Sequence, residues 1–244
     1  MAEQAIVWLT GGSAGIGADL CTRLLASGHR VVTFARREPQ FTHANLHAQR
    51  VDLTDMDAST AAFRQAAERW PATRIIHNAG AIREKFLEEV SAQDLDDLSH
   101  LHLGTAIAMV QANLQHMKDA SFGRIILMST RAIVGLEKRT VYSATKAGVI
   151  GMGRTWSLEL AAHGITVNMI APGPIEETEM FHEVLPKDSE QLQRVSARVP
   201  VGRVGRPADV SRAVEFFLSD EADFITGQTL FVCGGTSVGS MSFT

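Results

Sequence analysis

Cysteine is nearly missing from this chain: two in 244 residues, Cys21 and Cys233, far apart and outside any Cys-x-x-Cys spacing. That excludes a disulfide-stapled scaffold and a cysteine metal or redox centre, and it suits a reducing compartment with both thiols as small core residues. No apolar run approaches the roughly 20 residues needed to span a bilayer. Met1–Gln4 leads straight into the strand-like Ala5–Leu9, without the pattern of a signal peptide, so the cytoplasm is the expected location. An excess of charge is lacking as well: 23 Lys and Arg against 27 Asp and Glu leave a net charge of -4, which offers no general attraction for nucleic acid or an anionic membrane. The histidines offer no metal pattern. His100 and His102 are two apart and face different sides of a helix, and His43 and His47 lie in a loop-and-strand region. Tyrosine occurs once, at Tyr142.

What is present is an alternation of short β-rich runs with longer helical patterns, the signature of an α/β domain with a parallel sheet covered on both faces. Strands are expected near 5–10, 30–35, 47–51, 73–78, 123–129, 165–170 and 228–233. Helices are expected near 15–27, 56–69, 92–118, 141–162 and 207–218, with Ser91 to Asp94 as a helix start and Pro207 in a first turn. The segment 174–206 carries no strand pattern and reads as an insertion covering the substrate at the sheet's carboxyl end. No repeat or linker marks a boundary. One doubly wound Rossmann-type domain over 1–244, with about seven strands, is the expectation.

The turn Gly11-x-x-x-Gly15-x-Gly17 joins the first strand to the first helix. Glycines let the backbone approach a pyrophosphate, and the helix N-terminus supplies amide N–H groups and partial positive charge. The spacing differs from the commoner Gly-x-Gly-x-x-Gly fingerprint. An NAD site places an acid near the end of the second strand for the ribose 2′-hydroxyl. Here that position is Ala35, followed by Arg36 and Arg37, whose fork of donors suits a 2′-phosphate, so NADP(H) is favoured over NAD(H). Asp52 falls at the same edge, either accepting from an adenine amino group or capping a turn or helix. Asn78, Ala79 and Gly80 lie there too.

Tyr142 and Lys146 are four apart, one above the other on a helix face. At about 4 Å and an effective dielectric near 20, an ammonium attracts a phenolate by about 4 kcal/mol. That is enough to draw a phenol from about 10 towards neutrality, where it can exchange protons with an alcohol or carbonyl.

These residues in this order resemble the short-chain dehydrogenase/reductase family, especially its 3-oxoacyl-carrier-protein-reductase-like members. The resemblance covers nearly the whole chain: Thr10 to Gly17, Asp52-Leu53, Asn78 to Gly80, Gly123 to Ile126, Tyr142 to Lys146, Pro172 to Ile175, Ile225 to Gln228 and Gly234-Gly235. It implies an enzyme moving a hydride between a nicotinamide and a small-molecule carbonyl or alcohol. Tyr142 is then the acid/base, and Lys146 lowers its pKa and holds the nicotinamide ribose. Gly11, Ser13, Gly15, Ile16, Gly17, Arg36, Arg37, Asp52, Leu53 and Asn78 to Gly80 serve the cofactor, as do Tyr142, Lys146, Pro172, Gly173, Ile175 and Thr178. The family's serine hydroxyl on the fifth strand falls on Thr130 counting from Gly123, and on Ser129 counting back from Tyr142; Thr130 is preferred because a strand sets side-chain direction. His102 takes the place of the family's asparagine, as a proton relay with a suitable pKa or as a packed residue with no part in catalysis. Arg131, Ile133, Val134 and the segment after Ile175 are expected to build the substrate pocket, Arg131 meeting a carboxylate, a phosphate or a loop salt bridge.

The family resemblance further implies a homotetramer, or a dimer, paired through the helices near 92–118 and 141–162. Two other functions use the same features: a nucleotide-binding scaffold without catalysis, set apart by failure to reduce any ketone, and a lyase or epimerase, set apart by turnover without net change in NADPH absorbance.

Overall fold

The β-branched runs pair into one all-parallel sheet: β1 (Ile6–Thr10), β2 (Arg30–Ala35), β3 (Leu46–Arg50), β4 (Arg74–His77), β5 (Gly123–Met128), β6 (Ile165–Pro172) and β7 (Thr229–Val232). The computed structural model describes residues 5–176 and 190–238. Strand order is β3-β2-β1-β4-β5-β6-β7, so the chain reverses its direction of growth between β1 and β4. In such sheets ligands bind at the carboxyl ends beside that reversal.

Alternation along each strand builds two cores. Trp8, Phe34, Ile75, Ile125, Leu127, Val167 and Met169 face α2 (Met56–Arg69), α4 (Thr105–Asp119) and α5 (Thr140–Leu160). Val7, Leu9, Val31, Ile76, Ile126 and Ile170 face α1 (Gly15–Ala26) and α7 (Pro207–Leu218), with Pro207 in the first turn of α7. Asp55, not Asp52, caps α2, its carboxylate accepting from the Ala58 N–H at 2.9 Å. Ser91 starts α3 (Ala92–Ser99) and exchanges hydrogen bonds with Asp94, as its sequence leads one to expect.

The helix expected near 92–118 runs from Ala92 to Asp119 with one irregularity. Between α3 and α4 the backbone widens into a π-helical turn, His100–Gly104. The Thr105 hydroxyl lies within hydrogen-bond reach of the His100 carbonyl (3.1 Å) and the Leu53 carbonyl (2.9 Å), which ties the turn to the segment after β3. The widened turn carries His102 into the interior. Of the insertion near 174–206, the described part holds α6 (Glu190–Arg198) and packs over the carboxyl edge through Val201, whose N–H donates to the Gly234 carbonyl. No described helix is long and apolar enough to cross a membrane.

Candidate active site

β1 ends on Thr10, a fully buried hydroxyl that organises the loop after β4. Its Oγ1 accepts from the N–H groups of Asn78 and Ala79, each at 3.0 Å, and lies 3.0 Å from Nδ1 of His77. With two amides donating to it, the hydroxyl hydrogen goes to His77, which therefore carries its own proton on Nε2. The Asn78 amide donates in turn to the carbonyls of Gly11 (3.2 Å) and Thr10 (3.3 Å), tying the two loops together. Neither Thr10 nor His77 stands out as a site residue in the sequence, since partners 67 to 69 positions apart leave no local signal.

The glycine turn has the shape of an anion cradle. α1 begins at Gly15 with no side-chain cap and no acid in its first turn, so its amides are unanswered by side chains. A methyl group at Gly17 would lie 1.8 Å from the Gly11 carbonyl oxygen, and one at Gly80 would lie 3.2 Å from His102 Nε2 and 3.4 Å from Lys146 Nζ. A side chain at Gly17 would strike the Gly11 backbone and the Asn78 amide, and one at Gly80 would crowd the His102 ring and the Lys146 ammonium. An uncapped helix start without a nearby acid is what the phosphates of a dinucleotide require at this edge. Ala35 ends β2 without a carboxylate, and Arg36 and Arg37 are exposed beyond it. Arg36 is close enough to help hold the Asp52 carboxyl below its usual range, although the larger causes are the Thr54 N–H (3.0 Å) and hydroxyl (2.8 Å), which donate to it in a local turn. Leu53 is buried in the core. Ser13 and Ile16 are half-buried in the cradle, and Ile16 packs against the α1–α7 core. At the far side Pro172 ends β6, the Gly173 N–H donates to the Val232 carbonyl (3.0 Å), and Ile175 is buried. Thr178 lies outside the described residues.

Tyr142 and Lys146 are both buried on α5, against the end of β5. The two hydroxyls at that end go different ways. The Ser129 hydroxyl donates to the Lys146 backbone carbonyl (2.9 Å), whereas the Thr130 hydroxyl hydrogen-bonds the Tyr142 phenol and accepts from the Ala132 N–H (3.2 Å). Ser129 is thus spent on holding α5 to β5, a correction to its candidacy, because one step along a strand turns a side chain to the opposite face. A second correction concerns the phenol. Lys146 Nζ donates to the Met128 carbonyl (2.7 Å), and burial brings its pKa down to about 7. The largest influence on the phenol runs opposite to the tuning read from the spacing: burial raises the Tyr142 pKa, with the Thr130 hydrogen bond and the buried Arg139 guanidinium opposing that rise.

His102 is completely buried, its ring edge-on to Tyr142 with centroids 5.7 Å apart. Its Nε2 accepts from the Ala81 N–H (3.3 Å) and its Nδ1 lies 2.9 Å from the Thr145 hydroxyl, which donates to the Val141 carbonyl. This pattern assigns a neutral ring with its proton on Nδ1. Burial first, then Lys146 and His77, drive its pKa well below 6.5. A titration near pH 6–7 is therefore corrected: the ring stays neutral there. Its role in this geometry is to hold Ala81, as Thr10 holds Asn78 and Ala79. We predict that His102→Leu, which leaves the Ala81 N–H without an acceptor, lowers stability by about 1–3 kcal/mol. His102→Asn, with a carbonyl oxygen to offer, should recover much of that loss. The pH profile of turnover should keep one shape in all three proteins. An inflection present in wild type and missing from both variants would restore the relay.

No group of three or more metal-ligating side chains occurs among the described residues. The family model described as enoyl-(acyl carrier protein) reductase matches residues 11–237. The 3-oxoacyl-[acyl-carrier-protein] reductase MabA of Mycobacterium avium is 34% identical over 236 residues, 96% of this chain and 90% of that one. The 3-oxoacyl-[acyl-carrier-protein] reductase FabG of Escherichia coli (strain K12) is 32% identical over 241 residues, 96% of this chain and 97% of its own. The structure of ElxO with NADP bound superposes with a TM-score of 0.86 at 24% identity, over 95% of this chain and 98% of that one, a likeness of fold. Matched along nearly its whole length in sequence and in fold, this chain belongs to the short-chain dehydrogenase/reductase family of oxidoreductases, among its 3-oxoacyl-acyl-carrier-protein-reductase-like members.

Proposed function

We propose that this enzyme transfers a hydride between NADP(H) and a small carbonyl compound or secondary alcohol, with Tyr142 as general acid/base. The observation that carries the reading is the buried Tyr142 phenol, hydrogen-bonded by Thr130 and one helical turn from the buried Lys146 at the carboxyl edge of the sheet. The chemistry a dinucleotide would supply here, when bound, is the hydride or its acceptor. Tyr142 gives its phenolic proton to the carbonyl oxygen in reduction and takes it from the alcohol in oxidation. Thr130 donates to the same oxygen and orients it. Lys146, released from the Met128 carbonyl, holds the ribose next to the reacting carbon and supplies positive charge to a developing phenolate. Residues Gly11 to Gly17, Asp52, Leu53, Asn78 to Gly80, Pro172, Gly173, Ile175 and Thr178 are the ones that would hold the dinucleotide, and the segment 174–206 is the one that would cover the substrate.

The exposed Arg36 and Arg37 with the acid-free Ala35 support NADP(H), and the ElxO structure with NADP is consistent with it. A ketone panel run in parallel with NADPH and NADH tests both parts. NADPH is expected to give the higher kcat/KM, and Ala35→Asp with Arg36→Ser should swing the ratio towards NADH by at least about tenfold, the worth of one charge-assisted hydrogen bond. Equal kcat/KM for the two cofactors in wild type would defeat the arginine argument, and no turnover with any ketone would defeat the reductase reading.

The reading extends to a cytoplasmic homotetramer, with a dimer as the smaller alternative, paired through α4 and α5. Ile107 on α4 and Leu158 on α5 leave 38% and 83% of their surfaces exposed, which pairing would cover. Light scattering at micromolar concentration should return a multiple of the chain mass; the mass of a single chain would refute it.

A further inference from the structure

Arg131 follows Thr130 and opens the short 3-10 turn Arg131–Val134 beyond β5. Its side chain crosses the end of β6 to the turn after β7, where Nε donates to the Thr236 carbonyl at 3.3 Å. That single bond anchors the inner edge of the guanidinium. The other edge, with the two terminal nitrogens that grip a carboxylate in parallel, has no hydrogen bond or acid among the described residues. Acids on the neighbouring rim are already engaged by other cations: Glu84 by Arg139, Asp94 by Lys85 and Asp97 by Arg83. The expected loop salt bridge is not formed with any described residue.

The position also says which anion this cation serves. In the order β2-β1-β4-β5, the end of β5 that carries Arg131 stands three strand spacings, about 14 Å, from the end of β2 where a 2′-phosphate would lie, and two spacings, about 10 Å, from the cradle at α1, and its side chain reaches away from both, towards β7. It is adjacent in the chain to the hydroxyl that orients the reacting oxygen. We propose that Arg131 is a specificity residue, binding an oxyanion carried by the substrate, either a carboxylate or a phosphate, so that the preferred carbonyl compound is an oxo acid or an oxoalkyl phosphate. This rests on the reductase reading above.

The test uses oxo acids with one to three methylenes between carbonyl and carboxylate, their methyl esters, oxoalkyl phosphates of the same lengths, and a neutral cyclic ketone, all with NADPH. Wild type should favour at least one anionic ketone over its ester by at least about tenfold in kcat/KM, since a charge-assisted bidentate contact is lost in the ester. The acid and phosphate arms show which oxyanion is meant. Arg131→Gln keeps an N–H for the Thr236 carbonyl but has no charge, so it should abolish that preference by raising KM for the anionic ketone much more than for its ester. Calorimetric titration of the same ketones into protein with NADP+, a pair that cannot react, reads the anion site without turnover. Failure of the neutral ketone and all others to react overturns the reductase reading, while Arg131-dependent binding of the anions in calorimetry would still uphold the site. The site itself is overturned if no anion is preferred to its ester in rate or binding, or if Arg131→Gln weakens acid and ester alike, as a purely structural tie to Thr236 would.

Discussion

Tyr142→Phe is expected to remove nearly all hydride transfer, by at least about 10²-fold in kcat, the usual share of a general acid. Dinucleotide binding should stay close to wild type, because only one oxygen is lost from a ring already packed in the core cluster with Leu98 and Val141. Burial raises the Tyr142 pKa, so at neutral pH the side chain is a phenol holding the proton that reduction needs. Oxidation needs the phenolate and should therefore speed up as pH rises above neutrality, the opposite trend to reduction. Turnover by Tyr142→Phe above about a tenth of wild type would remove this residue from the acid/base role.

Lys146→Met carries the second large effect, and it separates two jobs of one side chain. Turnover should fall by at least about 10²-fold, since the charge beside the phenolate and the grip on the ribose go together. Stability without dinucleotide should move the other way. The folded-state pKa of about 7 lies below the ordinary 10.5, because burial penalises the ammonium. Below pH 7 both folded and unfolded chains carry the charge, and the folded state bears the full penalty. Between pH 7 and 10.5 the unfolded chain binds more protons than the folded one, so wild-type stability climbs as pH rises; above that range the penalty is gone. Methionine has no charge to bury. Its variant should therefore be more stable than wild type near pH 6, by on the order of a few kcal/mol, and melt at a higher temperature. That advantage should shrink towards pH 10.5, leaving a pH-independent cost of about 1 kcal/mol for the Met128 carbonyl that loses its donor. Melting curves from pH 6 to 10 with a constant gap between the two proteins would contradict the burial of a charge.

The amino-acid pattern alone determined the parts of this protein that depend on neighbours along one element. Strand alternation and helical periodicity specified seven strands of one sheet, and a Gly-rich turn placed Gly11 to Gly17 at the start of α1. Four-residue spacing was enough to put Tyr142 and Lys146 on one face of α5. What it left open depends on elements that meet only in the fold. Ser129 and Thr130 differ by one residue, and their counts from β5 and from α5 disagree; the strand's register against α5 decides between them, sending Ser129 to the Lys146 carbonyl and Thr130 to the phenol. His102 reads as a residue on a continuous helix, yet the π-helical turn and Ala81 from the loop after β4 convert it into a buried neutral acceptor, and burial moves its pKa away from the range an isolated imidazole occupies. The same holds for Lys146, whose partner Met128 is 18 positions away. Thr10 binds a loop 67 to 69 positions away. Local periodicity constrains direction along an element, whereas hydrogen-bond partners and desolvation are properties of the packed interior, and those decide which side chains hold protons and which hold the backbone.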